Sequence, residues 1–265
     1  MGWLSRREPQ IDEPLWQRLL SDYPFLLARP ETDPAALRMM TNRFLASKQF
    51  AGAQGLIIDD YIGAAIAVQA CLPVLNLGIH WYDDFRQIIV YPDQFRVRAS
   101  DMDEHGLVHD TDDFLAGQTF ANGPVLLSWA DAQGNEPDSS FNVVIHEFVH
   151  KIDLRDGLAD GCPPMANALL SRWRAALDDA YCKFVDLCDD AETELPRTLD
   201  PDSEEAASYF QHLPLDPYAA QDLAEFFAVC GETYFTNPKK IIDSFPVFNQ
   251  CLEMFFTSNT LNMES

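Results

Sequence analysis

His146-Glu147-Phe148-Val149-His150 constrains this chain more than any other stretch, because its two histidines can act together only on a helical backbone. Side chains four residues apart on an α-helix lie one turn apart and roughly 40° around the axis, so both imidazoles project from one face and can share an ion. The flanks predict a helix over 141–154: Ser139 and Ser140 can serve as N-caps, and Gly157 stands just past the end. Phe141, Ile145, Phe148 and Ile152 recur at helical spacing and make a core face, which leaves His146 and His150 on an adjacent one. Glu147 lies roughly 100° around from His146, within reach of a water held by the ion. In a hydrolytic zinc site the metal brings the pKa of such a water to about 7 and polarises a carbonyl, while the glutamate takes the proton. The plain alternative is a pair of histidines on a solvated helix face, and the preceding Val143-Val144-Ile145 argues against it.

A catalytic zinc needs a third protein ligand and an open position. The segment Asp216-Pro217-Tyr218-Ala219-Ala220-Gln221-Asp222-Leu223-Ala224-Glu225 offers Glu225. With Asp216 as N-cap and Pro217 at the first position, 217–236 reads as one helix. Leu223, Phe226, Phe227, Cys230 and Tyr234 form its apolar face, and Tyr218, Glu225 and Glu232 follow a separate stripe at seven-residue spacing. A carboxylate among so many apolar residues needs a partner, either a metal or a cation, and spacing alone leaves both open. Asp153 and Asp156 compete for the same role. A third ligand at that short spacing needs a glycine in the middle to turn the chain, and Asp153 occupies that place. Asp153 shares the stripe of both histidines and is expected to orient one imidazole as a hydrogen-bond acceptor. His80, His105, His109 and His212 are isolated or loop-borne.

Around these motifs the pattern is α+β. Helices are expected over 14–27, 34–49 (Asp33 as N-cap, Pro34 at the first position) and 59–72. Gln87–Tyr91 and Phe95–Arg98 are β-prone runs divided by Pro92-Asp93, which reads as a hairpin, and Val125–Trp129 is another strand. Helical signals follow at 165–188, weakly at 203–211, and at 246–256. Strands confined to the middle with helices on both sides predict a small mixed sheet in a single domain over 1–265, its N-terminal helical part (about 1–75) packed on the catalytic core.

A net charge of −24, from 42 acidic against 18 basic side chains, repels phosphate backbones and so argues against direct nucleic-acid binding. It suits either a solvated surface or a basic protein partner. The six cysteines show no CxxC pair and read as reduced thiols. Arg6 and Arg7 precede polar residues, not an apolar leader, and position 6 does not fit a myristoylation signal. The longest apolar stretch, 63–75, is broken by Gln69 and Pro73 and is too short for a bilayer. A cytoplasmic protein with no membrane partner is expected.

HEFVHKID at 146–153, DPYAAQDLAEFFAVCGETYF at 216–235, LPVLNLGI at 72–79 and GPVLLSWAD at 123–131 resemble the MtfA (Mlc titration factor A) family of metallopeptidases. The resemblance covers nearly the whole chain and is weakest over residues 1–30. It implies a zincin-like fold related to the catalytic domain of anthrax lethal factor, aminopeptidase-like activity on peptide substrates, and regulation of the glucose phosphotransferase system through binding the repressor Mlc. Carried over by position, it implies one Zn2+ per chain held by His146, His150 and Glu225, with Glu147 as general base. Tyr218 falls where the lethal-factor-like sites have their catalytic tyrosine. Lethal factor has a glutamate one turn after the third ligand where this chain has Val229, so for Glu232 the resemblance suggests no more than a supporting place behind the ligands. The alternative function is a non-catalytic protein that sequesters a transcriptional repressor, and a purely structural metal site is a third reading.

Overall fold

Short polar side chains set where most helices of this chain begin. The structure is a computed structural model that describes residues 10–93, 123–133, 141–196, 198–199 and 203–258. Asp12 caps α1 (Glu13–Asp22) by accepting from Leu15 N, and Asp33 caps α2 (Pro34–Ser47) by accepting from Ala35 N. The helix expected over 14–27 stops at Asp22, because a residue before proline avoids the helical region. Tyr23 duly turns away (φ −126°, ψ 70°), and Pro24–Leu27 forms a separate 3-10 turn. After α2 the chain straightens at Lys48 into β1 (Gln49–Gly52), a strand too short to show a period in the sequence.

Asp59 caps α3 (Asp60–Cys71), buried on nearly every side, and β2 (Gln87–Tyr91) and β3 (Val125–Ser128) follow. These strands form one sheet in the order β1-β2-β3, with Phe50 opposite Ile88 and Ile89 opposite Leu126, and both pairings are parallel. The antiparallel partner expected at 95–98 lies outside the described residues. Ser128 ends β3 and caps a single turn, α4 (Trp129–Ala132).

The second half is helical: α5 (Val143–Asp153), α6 (Asn167–Glu194), α7 (Glu204–Phe210), α8 (Leu223–Thr236), α9 (Pro238–Ser244) and α10 (Pro246–Phe256). Every residue of α5 is buried, and so is α8 from Ala224 to Phe235. A helix covered all round belongs at the centre of a fold. α5 lies against β3, α3 and α8, and its contact with α8 is the most extensive among the described helices. Gly231 permits that closeness, since a Cβ there would stand 2.9 Å from Cγ2 of Val149. Aromatic rings fill both flanks: Phe148 of α5 meets Phe44, Tyr82 and Phe85, and Trp173 of α6 meets Phe227, Phe248 and Phe255. No described helix is long and apolar enough to cross a membrane.

Candidate active site

Asn142, not Ser139 or Ser140, caps α5: its side chain accepts from Ile145 N at 2.9 Å, and the two serines lie outside the described residues. One turn on, His146 and His150 face each other with their Nε2 atoms 3.1 Å apart. Glu225 reaches them from the first turn of α8, with Oε2 3.1 Å from each Nε2. Asp222 fixes that turn by accepting from Glu225 N at 2.9 Å.

Three acceptor atoms at the corners of a triangle with 3.1 Å sides need something positive among them. Such a triangle has its corners about 1.8 Å from its centre, close enough together for all three atoms to share one ion at the usual zinc–ligand distance of about 2.0–2.1 Å. Two imidazoles and one carboxylate are also the donor set of a catalytic zinc with one position left open. A single Zn2+ therefore fits the residues present, and no other such cluster of histidine, cysteine or carboxylate ligands occurs among the described residues. Burial alone would lower the pKa of His146, but hydrogen bonds to Glu225 and Glu232 raise it to about 10. Burial would likewise raise Glu225, yet the two histidines hold it down to about 2.

Glu147 is 2% exposed, one position along α5 from His146, and its charge is felt at both His146 and Tyr218. Tyr218 does not sit on the helical stripe expected of it. Pro217–Ala220 is a separate 3-10 turn, and the chain breaks at Gln221-Asp222 before α8 begins. The turn nevertheless carries the Tyr218 ring to 6.1 Å from that of His146, and its phenol is held in the neutral form by burial and by the neighbouring Glu225 carboxylate. Glu225 and Glu232 do share a face of α8, two turns apart.

Of the two carboxylates considered as supports for the ligands, Glu232 is the one that meets an imidazole, with Oε2 3.2 Å from Nδ1 of His146. Asp153 does not. Its Oδ2 accepts from Gly161 N at 2.9 Å and its Oδ1 has no hydrogen-bond partner. Asp156, the rival third ligand, is exposed and accepts from Leu158 N, away from the histidines. His80 and His212 are exposed, and His105 and His109 lie outside the described residues.

Several supporting residues escaped the sequence reading. Asn142 follows the capping rule, but the two serines upstream competed for it. Gln69 showed itself only as the lone polar residue in the apolar run 63–75. Lys151, buried beside the motif, donates to Gly123 O at 2.9 Å just before β3 and so ties α5 to the sheet.

Comparison with known proteins agrees with this geometry. The model of the glucose-regulated metallo-peptidase M90 family matches residues 3–257. The chain is 34% identical over 260 residues to the Mlc titration factor A of Escherichia fergusonii, covering 98% of this chain and 91% of that one. It is 35% identical over 247 residues to that of Serratia proteamaculans (93% and 87% covered) and 35% over 260 residues to that of Klebsiella pneumoniae (98% and 91%).

Proposed function

This chain belongs to the glucose-regulated metallo-peptidase M90 family, and from that premise we propose how its residues divide the work of hydrolysing a peptide bond. His146, His150 and Glu225 would hold zinc, which would supply a Lewis acid for the scissile carbonyl and a water acidic enough to attack near neutral pH. Glu147 takes the proton of the attacking water and passes it to the leaving amine. Tyr218, 38% exposed and with its ring 6.1 Å from that of His146, donates its phenolic hydrogen to the carbonyl oxygen as negative charge grows there. Glu232 accepts from Nδ1 of His146, which leaves Nε2 as the lone-pair donor. We take 1–265 as one catalytic domain, acting as an aminopeptidase on peptides in the cytoplasm.

The observation that carries this reading is the triangle of His146, His150 and Glu225 with 3.1 Å sides. The test is metal content and peptide hydrolysis together. Purified protein should hold one zinc per chain, and a chelator should abolish hydrolysis. Glu147→Gln should retain the metal while losing about 100- to 10,000-fold in kcat/KM. A protein that binds no zinc, or a Glu147→Gln variant with full activity, sinks the reading.

A second role is supported by the relatives, which are named as titration factors of Mlc. The chain binds the repressor Mlc, and the net charge of −24 favours a partner with a basic surface. Binding that survives in Glu147→Gln separates this role from hydrolysis; the absence of any binding removes it for this protein.

A further inference from the structure

We propose that Gln69 and Asn142, neither of which reaches the zinc site, are positioning residues for it, acting through Glu232 on His146. The inference takes over from the preceding reading only the identity of the ion.

Glu232 is a carboxylate only 2% exposed. A carboxylate taken out of water needs hydrogen-bond donors in place of it. Glu232 has two: Nδ1 of His146 at 3.2 Å, and the backbone N–H of Asn142. Asn142 is the N-cap of α5, and in a capping box the N-cap N–H is met by a glutamate or glutamine three residues on. Here that position is Ile145, which has no acceptor. Glu232 supplies it from another helix. One carboxylate thus ties the start of α5 to α8 and aims the first zinc ligand.

The Asn142 amide is fixed in turn. Its Oδ1 accepts from Ile145 N at 2.9 Å and its Nδ2 donates to Oε1 of Gln69 at 2.7 Å. Gln69 has no freedom to turn over, because its Nε2 faces two carbonyl oxygens, Ala65 O at 3.0 Å and Ala132 O at 3.4 Å. The links form one continuous path: the two carbonyls accept from Gln69 and orient it, Gln69 accepts from the Asn142 amide, the Asn142 backbone N–H donates to Glu232, and Glu232 accepts from His146 and orients it. All four side chains are buried, so water does not substitute for a lost link. The relay reaches the site from α3 and from α4, at the end of β3.

Asn142→Ser tests this directly. Serine caps a helix about as well as asparagine but is too short to reach Gln69. Gln69→Met keeps the volume of the buried side chain and removes its amide. Zinc affinity is measured by competition with a chromogenic chelator, and the ligand field by the visible spectrum of the cobalt-substituted protein. Each variant is expected to bind zinc about tenfold more weakly than wild type, with an altered cobalt spectrum. The double variant should lose little more than either alone, because both changes break one chain of contacts. Leu19→Ala, a core change in α1 outside the relay, should lower the melting temperature and leave zinc affinity unchanged. If Gln69→Met fails to fold, Asn142→Ser decides by itself. Wild-type zinc affinity in folded Asn142→Ser overturns the proposal, as does an equal loss in Leu19→Ala. A wild-type protein that binds no zinc fails at an earlier point, in the reading of the triangle itself.

Discussion

At the scale of single residues, the surroundings of each carboxylate decide its role. Glu225→Ala removes the acceptor that stands 3.1 Å from both histidines, and zinc affinity should fall at least about a hundredfold. Asp156→Ala touches only a turn and should bind zinc like wild type, so metal content of the two variants checks the choice of third ligand. Asp153 makes a different prediction. Burial raises its pKa from 3.8 to about 7, with Gly161 N pulling the other way. A group whose pKa rises on folding stabilises the fold below its unfolded value, and that contribution fades as pH climbs through the folded one. In zinc-free protein, wild type should therefore lose about 2–3 kcal/mol relative to Asp153→Asn between pH 5 and pH 8.5, seen in urea melts at each pH. Stability curves that run parallel across that range would show that the buried carboxylate does not titrate as its surroundings imply. His146, Glu147 and His150 were legible in the sequence because one motif fixes all three on one helix. The true neighbour of Asp153 was not. Helical arithmetic places side chains on a face but says nothing of Gly161, eight residues on, which folds back to bond it.

Helices carry the ligands, so the spacing of α5 and α8 governs the site as much as the ligands do. Gly231 is a point of close approach in that contact. A methyl there would press on both Cγ atoms of Val149, at 2.9 and 3.1 Å, and a β-branched side chain has little room to turn aside. Gly231→Ala should cost about 1–3 kcal/mol in stability and, by displacing Glu225 and Glu232 from the histidines, reduce kcat/KM by up to about a hundredfold. Adding Val149→Ala reopens the space and should restore much of both, whereas a single Gly231→Ala variant that is as stable and as active as wild type would mean the helices have slack. Most helix positions could be read from apolar period and capping residues, and the last helix was expected over the range it occupies. Two kinds of feature could not. β1 is four residues long, below the length at which a period of two declares itself. The turn at Pro217–Ala220 begins with the same aspartate-proline signal that starts a true helix, and only the second cap, Asp222, separates them. Tyr218 and Glu225 still converge, because the turn redirects the chain toward α5 rather than away from it.

At the scale of the whole molecule, charge separates the two roles proposed for this chain. A peptidase site closes over a small substrate and works through contacts a few ångströms long. Capture of a protein partner by a chain of net charge −24 works at longer range. Part of that charge lies in the C-terminal half of α6, where Asp186, Asp189, Asp190, Glu192 and Glu194 are all exposed. Screening shortens the reach of such a surface to about 10 Å at 0.1 M salt, so association with Mlc should slow by about tenfold or more between 0.05 and 0.3 M salt. Hydrolysis of a neutral dipeptide amide should barely change over the same range. Neutralising four of these acids (Asp189→Asn, Asp190→Asn, Glu192→Gln, Glu194→Gln) should slow association further at low salt and flatten its salt dependence, with dissociation little altered, because long-range attraction acts on encounter more than on the docked complex. Stopped-flow association of Mlc with each protein separates these terms. A salt-independent association rate in wild type would mean that the acidic surface serves solubility alone and that Mlc, if it binds, is recognised by short-range contacts elsewhere.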